Sequence, residues 1–242
     1  MSGMQSWLVA QREIREVFSD SKFLISILIT GIGLPAFYAY IGMQNAALGQ
    51  AGVTSSMFTV WFMFVSILPA TFSVQLAVTS FVGEKENRTI EPLLAAPISD
   101  RELFLGKVLA SFVPPLALVA LVQVVFLGTS YALAIYRYQI PFQPDLQVVV
   151  FMAAFAPLVI LFMVGVGVIL SARATSVKTA QQMTVFVTLP VLFGVLFKAE
   201  AIFQLAVNQP LEALVATVAV DALLLRAGVR LFKREKILSQ VG

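Results

Sequence analysis

The sequence predicts an all-α membrane protein with six transmembrane helices. Three observations lead there. Of the 242 residues, 59% are hydrophobic and only 12% charged, against about 25% charge in an ordinary soluble domain. The mean hydropathy is +0.91. The apolar residues fall into stretches long enough to cross a hydrocarbon core of roughly 30 Å, separated by short polar segments. Residues 1–242 read as one transmembrane domain, with no soluble part large enough to fold alone.

The chain opens on residues 1–22, a polar and amphipathic segment. Met4, Trp7, Leu8, Ile14, Val17 and Phe18 fall largely on one side of a helix over Met4–Ser19, and Arg12, Glu13, Arg15 and Glu16 on the other. Gln11 blurs the stripe. The pattern suits a helix lying in the membrane interface with Trp7 at headgroup depth. No basic segment leads directly into a short apolar run, so a cleavable signal peptide is not expected.

The first span is expected over Phe23–Met43, with Phe37, Tyr38 and Tyr40 at its far end, and a small polar loop follows over Gln44–Ser56. The second span is Met57–Val82. A third runs from Val108 to Tyr136, with a kink expected at Pro114 and Pro115, since proline removes a backbone donor. Arg137–Asp145 is a short loop, and the fourth span lies between Asp145 and Arg173. Gly165 and Gly167 within it suit close helix approach or are ordinary membrane glycines. The fifth is Thr179–Phe197. Lys198–Gln209 reads as a half-helix at the outer interface. Pro210 suits the first turn of a last helix, the sixth span, over Leu211–Phe232.

Charge orients these spans. With the N-terminus in the cytoplasm, only Arg137 and Lys198 of the 16 lysines and arginines fall on the outer side. The positive-inside rule therefore places both termini in the cytoplasm. The protein is expected as a multi-pass component of the cell membrane.

The densest run of charge is Gly83–Lys107, GEKENRTIEPLLAAPISDRELFLGK. Thr89 is a candidate helix cap, Glu91 favours the positive end of a helix, and Pro92 is tolerated in its first turn. Ile90, Leu93 and Leu94 give it an apolar face. Pro97 ends it. Ser99 and Glu102 form a capping-box pattern that starts the next helix. The segment reads either as a solvated loop anchoring two spans or as a docking element, since an exposed apolar face seeks a partner.

The run Glu84-Lys85-Glu86-Asn87-Arg88-Thr89-Ile90-Glu91-Pro92-Leu93-Leu94-Ala95-Ala96-Pro97-Ile98-Ser99, with Gly106-Lys107 downstream, resembles the signature region of ABC-2 type transporter permeases. Arg88 stands where many members carry a glycine before the threonine. The resemblance implies a coupling helix between spans two and three that rests on a separate ATP-binding-cassette ATPase subunit. It implies that Glu84, Glu86, Arg88, Thr89, Ile90, Glu91, Leu93 and Leu94 lie at or near that contact, with the Met4–Ser19 helix along its edge. It also implies an exporter built as a dimer, of this chain with itself or with a homologous permease, in the lipid bilayer.

The chain itself is not expected to be an enzyme. It has no cysteine and no histidine, which removes thiol chemistry and the commonest general base. No G-x-x-x-x-G-K-[ST] run is present, and without that phosphate cradle the chain should not hydrolyse ATP. No cofactor is expected in it; ATP and magnesium belong to the partner subunit. Nucleic acid is not an expected partner, and no metal site is expected.

Three polar residues within the spans are candidates for a substrate path. Asp221 lies ~18 Å from Lys233 along the last helix, near mid-membrane, and is either a substrate or cation contact or the structural partner of Arg226. Gln75 and Gln123 either join helices by hydrogen bonds or line a path. The scarcity of charge within the spans favours hydrophobic or amphiphilic cargo. Two other readings stand beside the exporter: an ion-coupled secondary carrier with Asp221 as its coupling site, though no internal repeat is evident, and a membrane scaffold that recruits a cytoplasmic protein.

Overall fold

The computed structural model describes residues 2–19, 21–48, 51–86, 99–174 and 176–231, and every regular element among them is helical. Helix α1 (Ser2–Ser19) is followed by α2 (Ser21–Ile27), a π-helical turn (Leu28–Gly33) and α3 (Leu34–Ala47). Helices α4 (Ala51–Ile67) and α5 (Ala70–Glu86) come next. Then come α6 (Asp100–Ala132), a second π-helical turn (Leu133–Tyr138) and α7 (Leu146–Arg173). Helices α8 (Val177–Phe197), α9 (Ala199–Asn208) and α10 (Pro210–Leu231) complete the described chain.

Five helical stretches among the described residues are long and apolar enough to cross a membrane: Leu24–Ala47, Phe58–Gly83, Arg101–Tyr138, Leu146–Ala172 and Val177–Phe197. They match the first five expected spans. The last helix differs because Glu212, Asp221, Arg226 and Arg230 dilute its apolar run.

Several boundaries also differ from expectation. Helix α3 reaches Ala47 and α4 begins at Ala51, so the polar loop over Gln44–Ser56 is mostly helical. The second span is interrupted at Leu68 and Pro69. Proline cannot donate the helical hydrogen bond, and a tighter turn takes its place, with Thr71 N and Phe72 N donating to Leu68 O and Pro69 O. By contrast, α6 runs through Pro114 and Pro115 without interruption.

Helices α5, α6 and α7 form the centre. Phe62, Met63, Ile67, Val74, Phe126 and Met152 are among the fully buried side chains around them. Close backbone approach sets the spacing. A Cβ on Gly167 would lie 2.8 Å from the Ala77 Cβ and 3.0 Å from the Val74 carbonyl oxygen, so α7 lies directly against α5. On another face of α7, a Cβ on Gly165 would lie 3.0 Å from the Leu224 Cβ. One turn on, a Cβ on Gly228 would lie 3.1 Å from Val168. Both pairs advance in the same direction, so α7 and α10 run parallel. Gly165 and Gly167 serve close approach, the first of the two readings their positions allowed.

Candidate functional site

Helices α5 and α6 flank the charged stretch. Glu84 and Glu86 belong to the last turn of α5. Their side chains, and the whole of residues 87–98 with Arg88, Thr89, Ile90, Glu91, Leu93 and Leu94, lie outside the described residues, as does the coupling helix expected there. The restart after it is described and has the expected form. Ser99 Oγ accepts from Glu102 N at 3.3 Å, and Ser99 N donates to Glu102 Oε2 at 3.0 Å. This reciprocal pair satisfies two otherwise orphaned donors and starts α6 at Asp100.

Just inside this end lies a polar cluster that the sequence reading missed. Lys107 is 0% exposed. Its ammonium donates to Glu13 Oε1 at 3.0 Å, to Ser80 O at 2.8 Å and to Ser80 Oγ at 3.2 Å. Three donors meet three acceptors, which a buried lysine needs. Ser80 Oγ in turn donates to Glu13 Oε2 at 2.6 Å. The ring closes across three helices: α1 supplies Glu13, α5 supplies Ser80 and α6 supplies Lys107. The Phe81 ring centroid lies 5.5 Å from the ammonium and adds a favourable face for the charge.

Two expectations are corrected here. Glu13 does not share the solvated side of α1 with Arg12, Arg15 and Glu16; it turns into the bundle beside buried Ala10. Trp7, Leu8 and Phe18 on the apolar side of α1 are exposed. Lys107 is not a charge at the edge of the third span. It sits within a continuous helix, on a stripe with the buried Leu103, Phe104, Ala110 and Ser111. A lysine on such a stripe requires a buried partner, and that was the legible signal.

The intramembrane polar residues are not brought together. Gln123 Nε2 donates to Met152 O at 3.3 Å, joining α6 to α7, so it acts as helix glue. Gln75 is exposed. Asp221 is 2% exposed, and neither carboxylate oxygen has a hydrogen-bond partner among the described residues. The pairing with Arg226, one of the two readings of Asp221, is absent. Five helical positions rotate a side chain about 140° round the axis, so Arg226 emerges exposed on another face.

At the opposite end of the bundle an open cavity of about 800 Å³ lies between the α3–α4 corner, the 140–145 loop and α9. Met43, Phe58, Phe142 and Phe203 line it, with Asp145 and Glu200 also among its walls.

The model of the ABC-2 family transporter proteins matches residues 7–225, nearly the whole chain. The chain belongs to the ABC-2 transporter family. It is thus an integral membrane protein and an ABC transporter permease subunit. The matched region includes α1 from Trp7 onward, the charged stretch and both helices that flank it. No curated protein matches the chain.

Proposed function

We propose that this ABC-2 permease is the membrane half of an exporter, driven by ATP hydrolysis on a separate ATP-binding subunit that docks on residues 83–107. The observation that carries this reading is the joining of both helices that flank the charged stretch. Ser80 of α5 and Lys107 of α6 are hydrogen-bonded together close to where the stretch leaves and re-enters the bundle. A stretch so mounted can pass a push to the helices on both sides. Glu84, Glu86, Arg88, Thr89, Ile90, Glu91, Leu93 and Leu94 are the proposed contact. ATP and magnesium would reside in the partner, since this chain carries no phosphate loop.

Six spans, cytoplasmic termini and pairing with a second permease complete the proposal. Helix α10 is the proposed sixth span. Its 22 residues reach about 33 Å at helical rise. It runs parallel to α7, and Leu211, Val215, Val218 and Leu223 are exposed along it. The aromatic lining of the open cavity supports hydrophobic or amphiphilic cargo.

The test is purification of the chain from its native membrane followed by an ATPase assay. An ATP-binding subunit should co-purify, and Glu91→Arg should release it. A chain that purifies alone, and moves solute under an ion gradient without ATP, would overturn the proposal. One observation favours a second reading, an ion-coupled carrier: the buried carboxylate of Asp221, which has no hydrogen-bond partner among the described residues. That reading requires Asp221→Asn to abolish transport while leaving any associated ATP turnover intact.

A further inference from the structure

We infer that Glu13, Ser80 and Lys107 form the joint through which movement of the charged stretch is passed to the rest of the bundle. The inference rests on the reading that a separate ATP-binding subunit docks on that stretch.

The geometry argues for a joint rather than a simple anchor. Ser80 is six residues before the end of α5, about 9 Å along the helix, and Lys107 is about 10 Å inside α6. The joint is therefore close to both points where force would enter. Its bonds cross between elements far apart in sequence, so α1, α5 and α6 cannot slide independently without unpairing a buried charge. Such unpairing is costly, because Lys107 has no solvent to turn to.

From the joint a packed route leads onward. Phe81, next to Ser80, packs against Phe104 at 5.8 Å between ring centroids. Phe104 also closes on α10, where a Cβ on Gly228 would meet its ring at 3.2 Å. Gly228 in turn lies against Val168 of α7. One cluster thus touches α1, α5, α6, α7 and α10. Glu13, Ser80 and Lys107 are accordingly positioning residues: they neither bind nucleotide nor need to contact cargo.

The chain contains no cysteine, so a single introduced thiol can report on the far end. Asn208, exposed at the end of α9, is a suitable position. Vesicles would carry Asn208→Cys protein together with its ATP-binding subunit. The rate of labelling by a membrane-impermeant maleimide would be read without nucleotide and with Mg-ATP plus orthovanadate. With the joint intact, nucleotide should change the rate about five-fold or more. Glu13→Gln should reduce that change to less than about two-fold, with the ATP-binding subunit still co-purifying and still turning over ATP. Ser80→Ala, which keeps the ion pair and removes only the hydroxyl, should give a partial loss.

A full response in both variants would overturn the joint while leaving the docking proposal standing. Loss of response only where the complex falls apart would also overturn it, by reducing the cluster to an anchor. No nucleotide response with the joint intact, in vesicles where the ATP-binding subunit co-purifies and turns over ATP, would overturn the joint alone; failure of the subunit to co-purify would overturn the docking reading.

Discussion

Lys107 Nζ lies 3.0 Å from Glu13 Oε1, joining α6 to the first helix of the chain. The lysine is fully buried and the glutamate side chain only 21% exposed. Removing one member strands the other. Lys107→Met should cost about 3–5 kcal/mol, read as a fall in the thermal unfolding midpoint of the purified protein. The double variant Glu13→Gln with Lys107→Met should recover part of the loss. No recovery would mean that the two side chains act independently.

Close approach at Gly167 gives a second expectation. Its missing Cβ leaves room for Ala77 and for the Val74 backbone, which cannot rotate away. Gly167→Ala should destabilise by about 1–3 kcal/mol through overpacking. Gly128, with open space around its Cβ position, is the control. Gly128→Ala should be neutral or stabilising by up to about 1 kcal/mol, from helix propensity.

The capping box at Ser99 should be separable from the rest of α6. Ser99→Ala removes the acceptor for Glu102 N and should cost about 0.5–2 kcal/mol. Hydrogen exchange should show faster exchange in the first turn of α6, with protection beyond Lys107 unchanged. Uniform loss along the helix would contradict a local cap.

Asp221 gives an expectation of opposite sign. A buried carboxylate with no partner among the described residues is a liability, and the neutral amide of Asp221→Asn removes the charge at nearly constant shape. The variant should melt at the same temperature or higher, by about 2–4 °C for each kcal/mol recovered. A lower midpoint would mean that the carboxylate is held by a favourable contact.

Much of the fold was legible in the sequence because membrane helices declare themselves by length and apolarity. The first five spans, the restart at Ser99 and the helix beginning at Pro210 all follow from local pattern. What was not legible depends on contacts between distant segments. Glu13 sits among other charged residues in sequence, and nothing local distinguishes it from Arg12 or Glu16. Only the packing of α1 on α6 turns it inward. Lys107 looked like the edge of a polar stretch because the charged run from Glu84 to Glu102 precedes it, yet its neighbours one turn away are buried. Pro69 broke the second span where Pro114 and Pro115 did not break the third, a difference that propensity alone does not contain. The individual contact residues were read from the pattern over Glu84–Leu94, and residues 87–98 lie outside the described part.

Site-specific photo-crosslinking tests the central proposal most directly. A photoreactive residue would be placed at position 91, in the charged stretch, and separately at position 208, at the far end of the bundle. Native membranes would be irradiated and the adducts identified by mass spectrometry. Docking of the ATP-binding subunit on residues 83–107 predicts an adduct with that subunit from position 91 and none from position 208. An adduct from position 208, or none from position 91 in membranes where the ATP-binding subunit co-purifies with the chain, would contradict it.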